Sequence, residues 1–212
     1  MTTLNLPRLY AIVDVNVARQ AGYTVPALAA AYLDGGAKLL QLRCANVTTG
    51  QYVGWARDIV LRAERYEANV IINDRVDVAR LSGATGVHVG QDDLSVKQIQ
   101  CVVGEAVAVG VSTHNLLQLD AAVRAGVSYV AVGPVYETKT KANGYLPLGL
   151  EYVRAAAKRC SGVPIVGIGG ITLERAADVI AAGAQSVAVI SDLFVGRCPT
   201  ARVGAYVERL VK

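Results

Sequence analysis

The stretch Gly133-Pro-Val-Tyr-Glu-Thr-Lys-Thr-Lys141 gathers two hydroxyls (Thr138, Thr140) and two ammonium groups (Lys139, Lys141) just after an apolar run, Tyr129-Val-Ala-Val132. Closely spaced hydroxyls, lysines and backbone N–H groups suit phosphate oxygens, which need several donors and positive charge. Alone, such a segment is ordinarily a solvated surface loop. Other parts of the chain argue against that here. Val166-Gly-Ile-Gly-Gly-Ile171 offers close backbone approach and N–H groups ahead of a helix, an anion cradle that Ser191 could complete. Asp74 and Asp93 supply carboxylates suited to Mg²⁺, which takes one or two of them together with substrate oxygens and water. Asp74 could instead be only a helix N-cap before Val76. Asp92 reads as a cap or surface residue, and Asp77 as a favourable first-turn charge.

These residues need elements to position them, and the chain alternates strand-like and helical patterns from end to end. Strands are expected at Leu9 to Val13, Lys38 to Leu42, Asn69 to Ile72, Gly86 to Val89, Ala106 to Val109, Tyr129 to Val132, Val163 to Val166 and Ser186 to Ile190. Helices are expected at Val25 to Leu33, Thr48 to Tyr66, Val76 to Leu81, from about Ser95, and at Asn115 to Arg124, Gly149 to Lys158, Leu173 to Ala182 and Ala201 to Leu210. An internal repeat supports the count. Asp34-Gly-Gly-Ala, Leu81-Ser-Gly-Ala, Arg124-Ala-Gly-Val and Ala181-Ala-Gly-Ala each end a helix with a glycine suited to φ > 0 and lead into a strand. Their shared glycines, Gly36, Gly83, Gly126 and Gly183, are 47, 43 and 57 residues apart, each interval fitting two β-α units. The pattern predicts an α/β fold: a single (β/α)₈ TIM barrel with short loops, one domain over residues 1–212 with its core about 9–210. A doubly wound open sheet would need a topology switch that this spacing does not suggest.

In such a barrel the active site assembles at the C-terminal strand ends. Those positions hold Gln41, Arg43, Asn73, Asp74, Gln91, Asp93, Ser112, His114, the Thr138 to Lys141 loop, Gly169, Gly170 and Ser191. That polar convergence on an apolar barrel marks a site. His88 lies inside a strand and reads as structural. His114, just past a strand end, suits either a helix start or catalysis.

Composition excludes other classes. The net charge of +4 is scattered, which weakly favours anionic small molecules and forms no nucleic-acid stripe. No apolar run is long enough for a membrane span, and no secretion signal opens the chain. Cys44, Cys101, Cys160 and Cys198 lie far apart without zinc spacing, so reduced structural thiols in a cytoplasm are expected. Nothing in the chain specifies an oligomeric state.

Taken together, Gln41-Leu-Arg43, Ile72-Asn-Asp74, Gly86-Val-His-Val-Gly-Gln-Asp-Asp93, Gly110-Val-Ser-Thr-His114, the Gly133 to Lys141 stretch and Val166 to Ile171 resemble the thiamine phosphate synthase family from about Leu9 to Leu210. Each motif is weak alone; in this order they are specific. The resemblance implies a transferase of thiamine biosynthesis on a (β/α)₈ barrel. It would join 4-amino-2-methyl-5-hydroxymethylpyrimidine diphosphate to 4-methyl-5-(2-phosphoethyl)thiazole with Mg²⁺, releasing pyrophosphate. By position, it assigns Asp74 and Asp93 to the metal. Gln41, Arg43, Asn73, Ser112 and Lys141 fall to the pyrimidine diphosphate, with Arg43, Ser112 and Lys141 catalytic. Thr138, Lys139, Thr140, Gly170, Ile190 and Ser191 fall to the thiazole phosphate. The family reaction is dissociative: diphosphate leaves first, and the thiazole nitrogen captures the pyrimidine methylene cation. One feature departs from the pattern. The family usually follows Gln-Leu-Arg with an acidic residue and a lysine, where this chain has Cys44-Ala45-Asn46. Two other readings are a thiazole tautomerase of the same lineage, metal-independent with His114 as acid or base, and a catalytically silent phosphate-binding regulator.

Overall fold

A computed structural model describes residues 4, 6–138, 145–160 and 162–211. Its strands are β1 (Leu9–Asp14), β2 (Leu39–Arg43), β3 (Asn69–Asn73), β4 (Gly86–Val89), β5 (Ala108–Thr113), β6 (Tyr129–Val132), β7 (Ile165–Ile168) and β8 (Ser186–Val189). They pair in parallel and in chain order, and β8 returns to β1 to close the barrel. The helices are α1 (Val15–Gln20), α2 (Val25–Asp34), α3 (Thr49–Glu64), α4 (Val76–Ser82), α5 (Val96–Val103), α6 (Leu116–Arg124), α7 (Gly149–Arg159), α8 (Leu173–Ala181) and α9 (Pro199–Val211), with a 3₁₀ segment at Ser191–Arg197. The expected (β/α)₈ barrel is therefore the fold. Among the described residues, no helix is long and apolar enough to cross a membrane.

Alternation along each strand sorts the apolar residues into two cores. One lies between sheet and helices and includes Leu40, Leu42, Ile72, Val87, Val130 and Val187. The other fills the barrel axis, with Tyr10, Ile12, Leu39, Ile71, Ala108, Tyr129, Ala131, Val166 and Ala188. Successive strand residues point to opposite faces, so a buried parallel sheet must be apolar on both. The repeat glycines behave as expected. Gly36, Gly83, Gly126 and Gly183 all have positive φ, between 72° and 111°, as the chain leaves a helix for the next strand.

Several boundaries differ from the sequence reading. Helix α1 was not expected; Asp14 nucleates it by accepting hydrogen bonds from Asn16 N and Val17 N. Strand β5 begins two residues later than expected and continues through Gly110, which reads as a breaker in sequence. A Cβ at 110 would overlap the Tyr129 ring, so the missing side chain makes room for that tyrosine. Strand β7 likewise starts after Pro164, whose carbonyl still accepts from Val130 N at 3.0 Å. Proline has no N–H to donate to a ladder, which places it at the strand's edge. The 3₁₀ segment after β8 was also unexpected.

The tight fit at Gly110 makes a test of barrel packing. Gly110→Ala should lower unfolding free energy by at least about 1–3 kcal/mol, the usual effect of overpacking a filled core. Chemical denaturation of the two proteins measures it.

Candidate active site

The C-terminal strand ends surround a cavity of about 900 Å³. Gln41, Arg43, Asn73 and Ser112 line it from β2, β3 and β5, while Gly169, Gly170, Ile190 and Ser191 line it from the ends of β7 and β8. Thr138 also lines it; Lys139, Thr140 and Lys141 lie outside the described residues. Most of the site residues expected from sequence thus share one space.

On the β1–β2 side, Arg43 forms an ion pair with Asp14, its register partner at the adjacent strand end. Asp14 is buried and performs two tasks at once. Its Oδ1 caps α1, and its Oδ2 holds the guanidinium over the cavity. Tyr52 of α3 braces the same rim, its hydroxyl 2.9 Å from Leu42 O and 3.1 Å from Asn73 O. Beyond Arg43 the chain turns through Asn46 at φ 60°. Burial, more than any charge, pushes the Cys44 thiol up to about 11, so it is neutral at ordinary pH. Cys44 packs against the outer core and replaces no cation.

The opposite wall is a backbone cradle. The loop after β6 is laced to the turn after β7, Val135 N donating to Ile168 O at 2.8 Å and Tyr136 N to Gly169 O at 3.0 Å. A Cβ at Gly170 would come within 2.8 Å of Tyr136 Cβ and overlap the Glu137 carbonyl, so only glycine fits this joint. Any substitution at 170 therefore disrupts the loop itself. Asp192 holds the 3₁₀ segment that starts at Ser191: its Oδ2 accepts from Arg202 Nη2 at 2.8 Å, from Tyr206 OH at 2.6 Å and from Leu173 N at 3.2 Å. The first turn of α8 is thus capped by Asp192, Thr172 making no side-chain cap of its own. Arg175, in that turn, lies 4.8 Å from the Tyr136 ring centroid and donates to Gly170 O at 3.3 Å. It brings a cation to the cavity wall that the sequence reading missed.

Asp74 and Asp93 stand at the neighbouring ends of β3 and β4, exposed at the rim rather than in the cavity wall. Asp74 is not the cap of α4. That position is Arg75, which makes no side-chain capping bond. Asp74 instead adopts φ 61°, with its N–H bonded to His88 O at 2.8 Å. A left-handed aspartate is uncommon and concentrates at functional sites. Asp93 folds over its own loop, Oδ2 accepting from Gly90 N at 2.7 Å. Asp77, by contrast, pairs with Arg75, whose guanidinium holds its carboxyl below the usual range. Among the described residues no three acidic, His or Cys groups cluster for a metal. Two rim carboxylates at neighbouring strand ends nevertheless fit Mg²⁺, which takes one or two carboxylates and completes its shell with ligand oxygens and water.

Both histidines line the cavity. His114 precedes the α6 cap, Asn115, and is not part of the helix. Its Nδ1 lies 2.6 Å from Gly133 O, and its ring stacks on Tyr145 at 3.9 Å between centroids. His88 is bonded at both nitrogens, to Ser112 and Tyr129. Of the functional groups missed in sequence, Asp14 had a signal: it ends the first strand as Arg43 ends the second. Tyr52, Tyr129 and Arg175 had none, because their roles depend on long-range packing.

A (β/α)₈ barrel with a polar cavity at the C-terminal ends of its strands is the class that this fold defines. Comparison with known proteins narrows it. Residues 9–193 match the family described as thiamine monophosphate synthase. A thiamine-phosphate synthase of Koribacter versatilis is 44% identical over 209 residues, covering 98% of this chain and 97% of the relative. One from Chloroflexus aurantiacus is 41% identical, covering 87% and 83%. A solved thiamine phosphate pyrophosphorylase from Pyrococcus furiosus superposes with a TM-score of 0.86 at 25% identity, covering 96% of this chain and 95% of that one. The chain belongs to the thiamine monophosphate synthase family.

The double duty of Asp14 can be separated. Asp14→Asn keeps an oxygen for the α1 cap but loses the charge facing Arg43, whereas Asp14→Ala loses both. Denaturant melts should show Asp14→Ala the less stable of the two by about 1 kcal/mol, the usual worth of a cap. The Cys44 thiol gives a pH test. Its raised value means that alkylation should be slow at pH 8 beside exposed Cys101 and Cys198, accelerating only as pH approaches about 11.

Proposed function

We infer that this transferase makes thiamine phosphate from the pyrimidine diphosphate and the thiazole phosphate, using the cavity as one continuous two-substrate site. The observation that carries the reading is the convergence of Gln41, Arg43, Asn73 and Ser112 opposite the Gly169–Gly170 and Ser191 cradle, in a chain so similar to synthases along its whole length.

In this reading Gln41, Arg43, Asn73, Ser112 and Lys141 hold the pyrimidine diphosphate. Thr138, Lys139, Thr140, Gly170, Ile190 and Ser191 hold the thiazole phosphate. The bond between the pyrimidine methylene carbon and the diphosphate oxygen breaks first, its electron pair leaving with the diphosphate. The thiazole nitrogen then supplies the pair for the new C–N bond, giving thiamine phosphate and pyrophosphate. No side chain acts as nucleophile. Arg43, held in place by Asp14, and Lys141 meet charge as it grows on the leaving oxygens, where fixed cations matter most. Ser112 donates to the same anion. Asp74 and Asp93 would hold Mg²⁺, which when bound supplies further positive charge to the diphosphate. With no ammonium at positions 44 to 46, more of the leaving-group charge falls to Arg43 and Lys141.

Mixing both phosphorylated substrates with Mg²⁺ should yield thiamine phosphate and pyrophosphate. Turnover should stop in EDTA, and Asp93→Ala should cripple it with an unchanged circular dichroism spectrum; full turnover in EDTA would remove the metal assignment. Lys141→Ala should slow the single-turnover rate about 10- to 100-fold, the equivalent of one charge-assisted contact. An unchanged rate would take Lys141 out of the leaving-group site.

A further inference from the structure

Five side chains form a hydrogen-bonded chain through the barrel interior, and only its two ends have a role in the mechanism above. Gln41 Nε2 donates to Tyr10 OH at 2.7 Å, and Tyr10 OH lies 3.0 Å from Tyr129 OH. Tyr129 OH lies 3.0 Å from His88 Nδ1, and His88 Nε2 lies 2.8 Å from Ser112 Oγ. The Tyr10–Tyr129 and Tyr129–His88 links join strands that are not neighbours in the sheet, β1 to β6 and β6 to β4. Gly110, by lacking a side chain, opens the space that the Tyr129 ring occupies. The ring also stacks against His88, 5.6 Å between centroids.

Proton counting restricts this chain to two opposite orderings. Tyr10 and Tyr129 are 1% and 0% exposed, so a hydroxyl hydrogen without an acceptor would be strongly destabilising there. Each phenol has one hydrogen, and a neutral imidazole has one N–H. With Gln41 donating to Tyr10, Tyr10 must donate to Tyr129, and Tyr129 to His88 Nδ1. His88 then carries its proton on Nε2 and donates to Ser112, which leaves the Ser112 hydrogen to point at the cavity. Turning the Gln41 amide over reverses every link: Ser112 donates to His88, and Gln41 presents N–H groups to the cavity instead of its oxygen. With the His88 imidazole neutral and all four contacts kept as hydrogen bonds, both orderings satisfy every group, so the amide at one end and the hydroxyl at the other change together.

We propose that Tyr10, Tyr129 and His88 are positioning residues that couple the hydrogen-bonding sense of Gln41 to that of Ser112, so that both ends of the pyrimidine diphosphate are read together. An anionic oxygen at Ser112 requires a donor and therefore selects the ordering in which the Gln41 amide oxygen faces the pyrimidine. That oxygen suits an amino substituent. A pyrimidine with a carbonyl there would demand the reverse ordering and withdraw the Ser112 hydrogen from the diphosphate. Coupling of this kind is reciprocal: what binds at one end changes affinity at the other by the same factor. The proposal rests on the assignment of Gln41 and Ser112 to this substrate.

Nitrogen-15 NMR of the imidazoles reads the ordering directly, since the chain has only two histidines. His114 faces a carbonyl that can only accept, so its proton is on Nδ1. With inorganic pyrophosphate bound, His88 should show the opposite tautomer, protonated on Nε2. Tyr129→Phe should shift the His88 signals and leave those of His114 in place. A His88 proton on Nδ1 in the pyrophosphate complex overturns the ordering. Calorimetry with the pyrimidine diphosphate then tests the coupling, using Gln41→Ala and Ser112→Ala singly and together. Their losses of affinity should fail to multiply by about fivefold or more in the otherwise native protein, and should multiply normally in the Tyr129→Phe background. Tyr10→Phe cuts the adjacent link and serves the same purpose if Tyr129→Phe does not fold. Independent losses in the native background overturn the coupling while leaving the substrate assignment intact. No loss from either single substitution removes that assignment instead.

Discussion

Closure of eight parallel strands around one axis is the constraint on which everything else in this protein depends. In a closed parallel barrel every other side chain of each strand points at the axis, and the same end of every strand opens on one mouth. Polar residues at the strand ends are brought into one cavity whatever their separation in sequence. Gln41 and Ser112 are the clearest case: they belong to β2 and β5 yet line the same space. The interior must also be filled to close-packed density. It is filled here with a pair of tyrosines, larger aliphatics such as Ile12, Leu39 and Ile71, and the small side chains of Ala108, Ala131 and Ala188. Polar atoms buried at the centre of such a core must find one another, which is why Tyr10, Tyr129 and His88 are linked.

The cavity divides its work between side chains and backbone. On the β1–β2 side a charge is held by a charge: Asp14 is buried under Arg43 and orients it while capping a helix. A guanidinium tied in this way gives up some of its field but holds its geometry, which favours a fixed cation over a mobile one. On the β7–β8 side the cavity wall is made of main chain, glycines and the first turn of α8. It is held rigid by Asp192 and by the bonds between the loop after β6 and the turn after β7. The departure at Cys44-Ala45-Asn46 falls on the first side, where a neutral, partly buried thiol follows Arg43.

Much of this was legible without coordinates. Strand and helix order, the barrel and its repeats follow from local periodicity and from glycines that end helices, and both are properties of short segments. The rim aspartates and the glycine cradle were visible as polar or glycine residues just past apolar runs. The strand limits at Gly110 and Pro164 were not. Glycine and proline punctuate a local pattern, and only their tertiary neighbours show that one continues a strand and the other stands at its edge.

What the sequence alone determined was the class of fold and many of the residues that line its mouth, because residue type and spacing along a strand dictate both. Tertiary structure decided which of those residues hold each other. Arg43 answers to Asp14, Asp74 takes a left-handed turn instead of capping α4, and Arg175 reaches the cavity beside Tyr136. It also decided that Gln41 and Ser112 are joined through two buried tyrosines and a histidine. The physical reason is range. Periodicity acts over a few residues, whereas a hydrogen bond between Tyr10 and Tyr129 spans 119 positions and forms only once the barrel has closed.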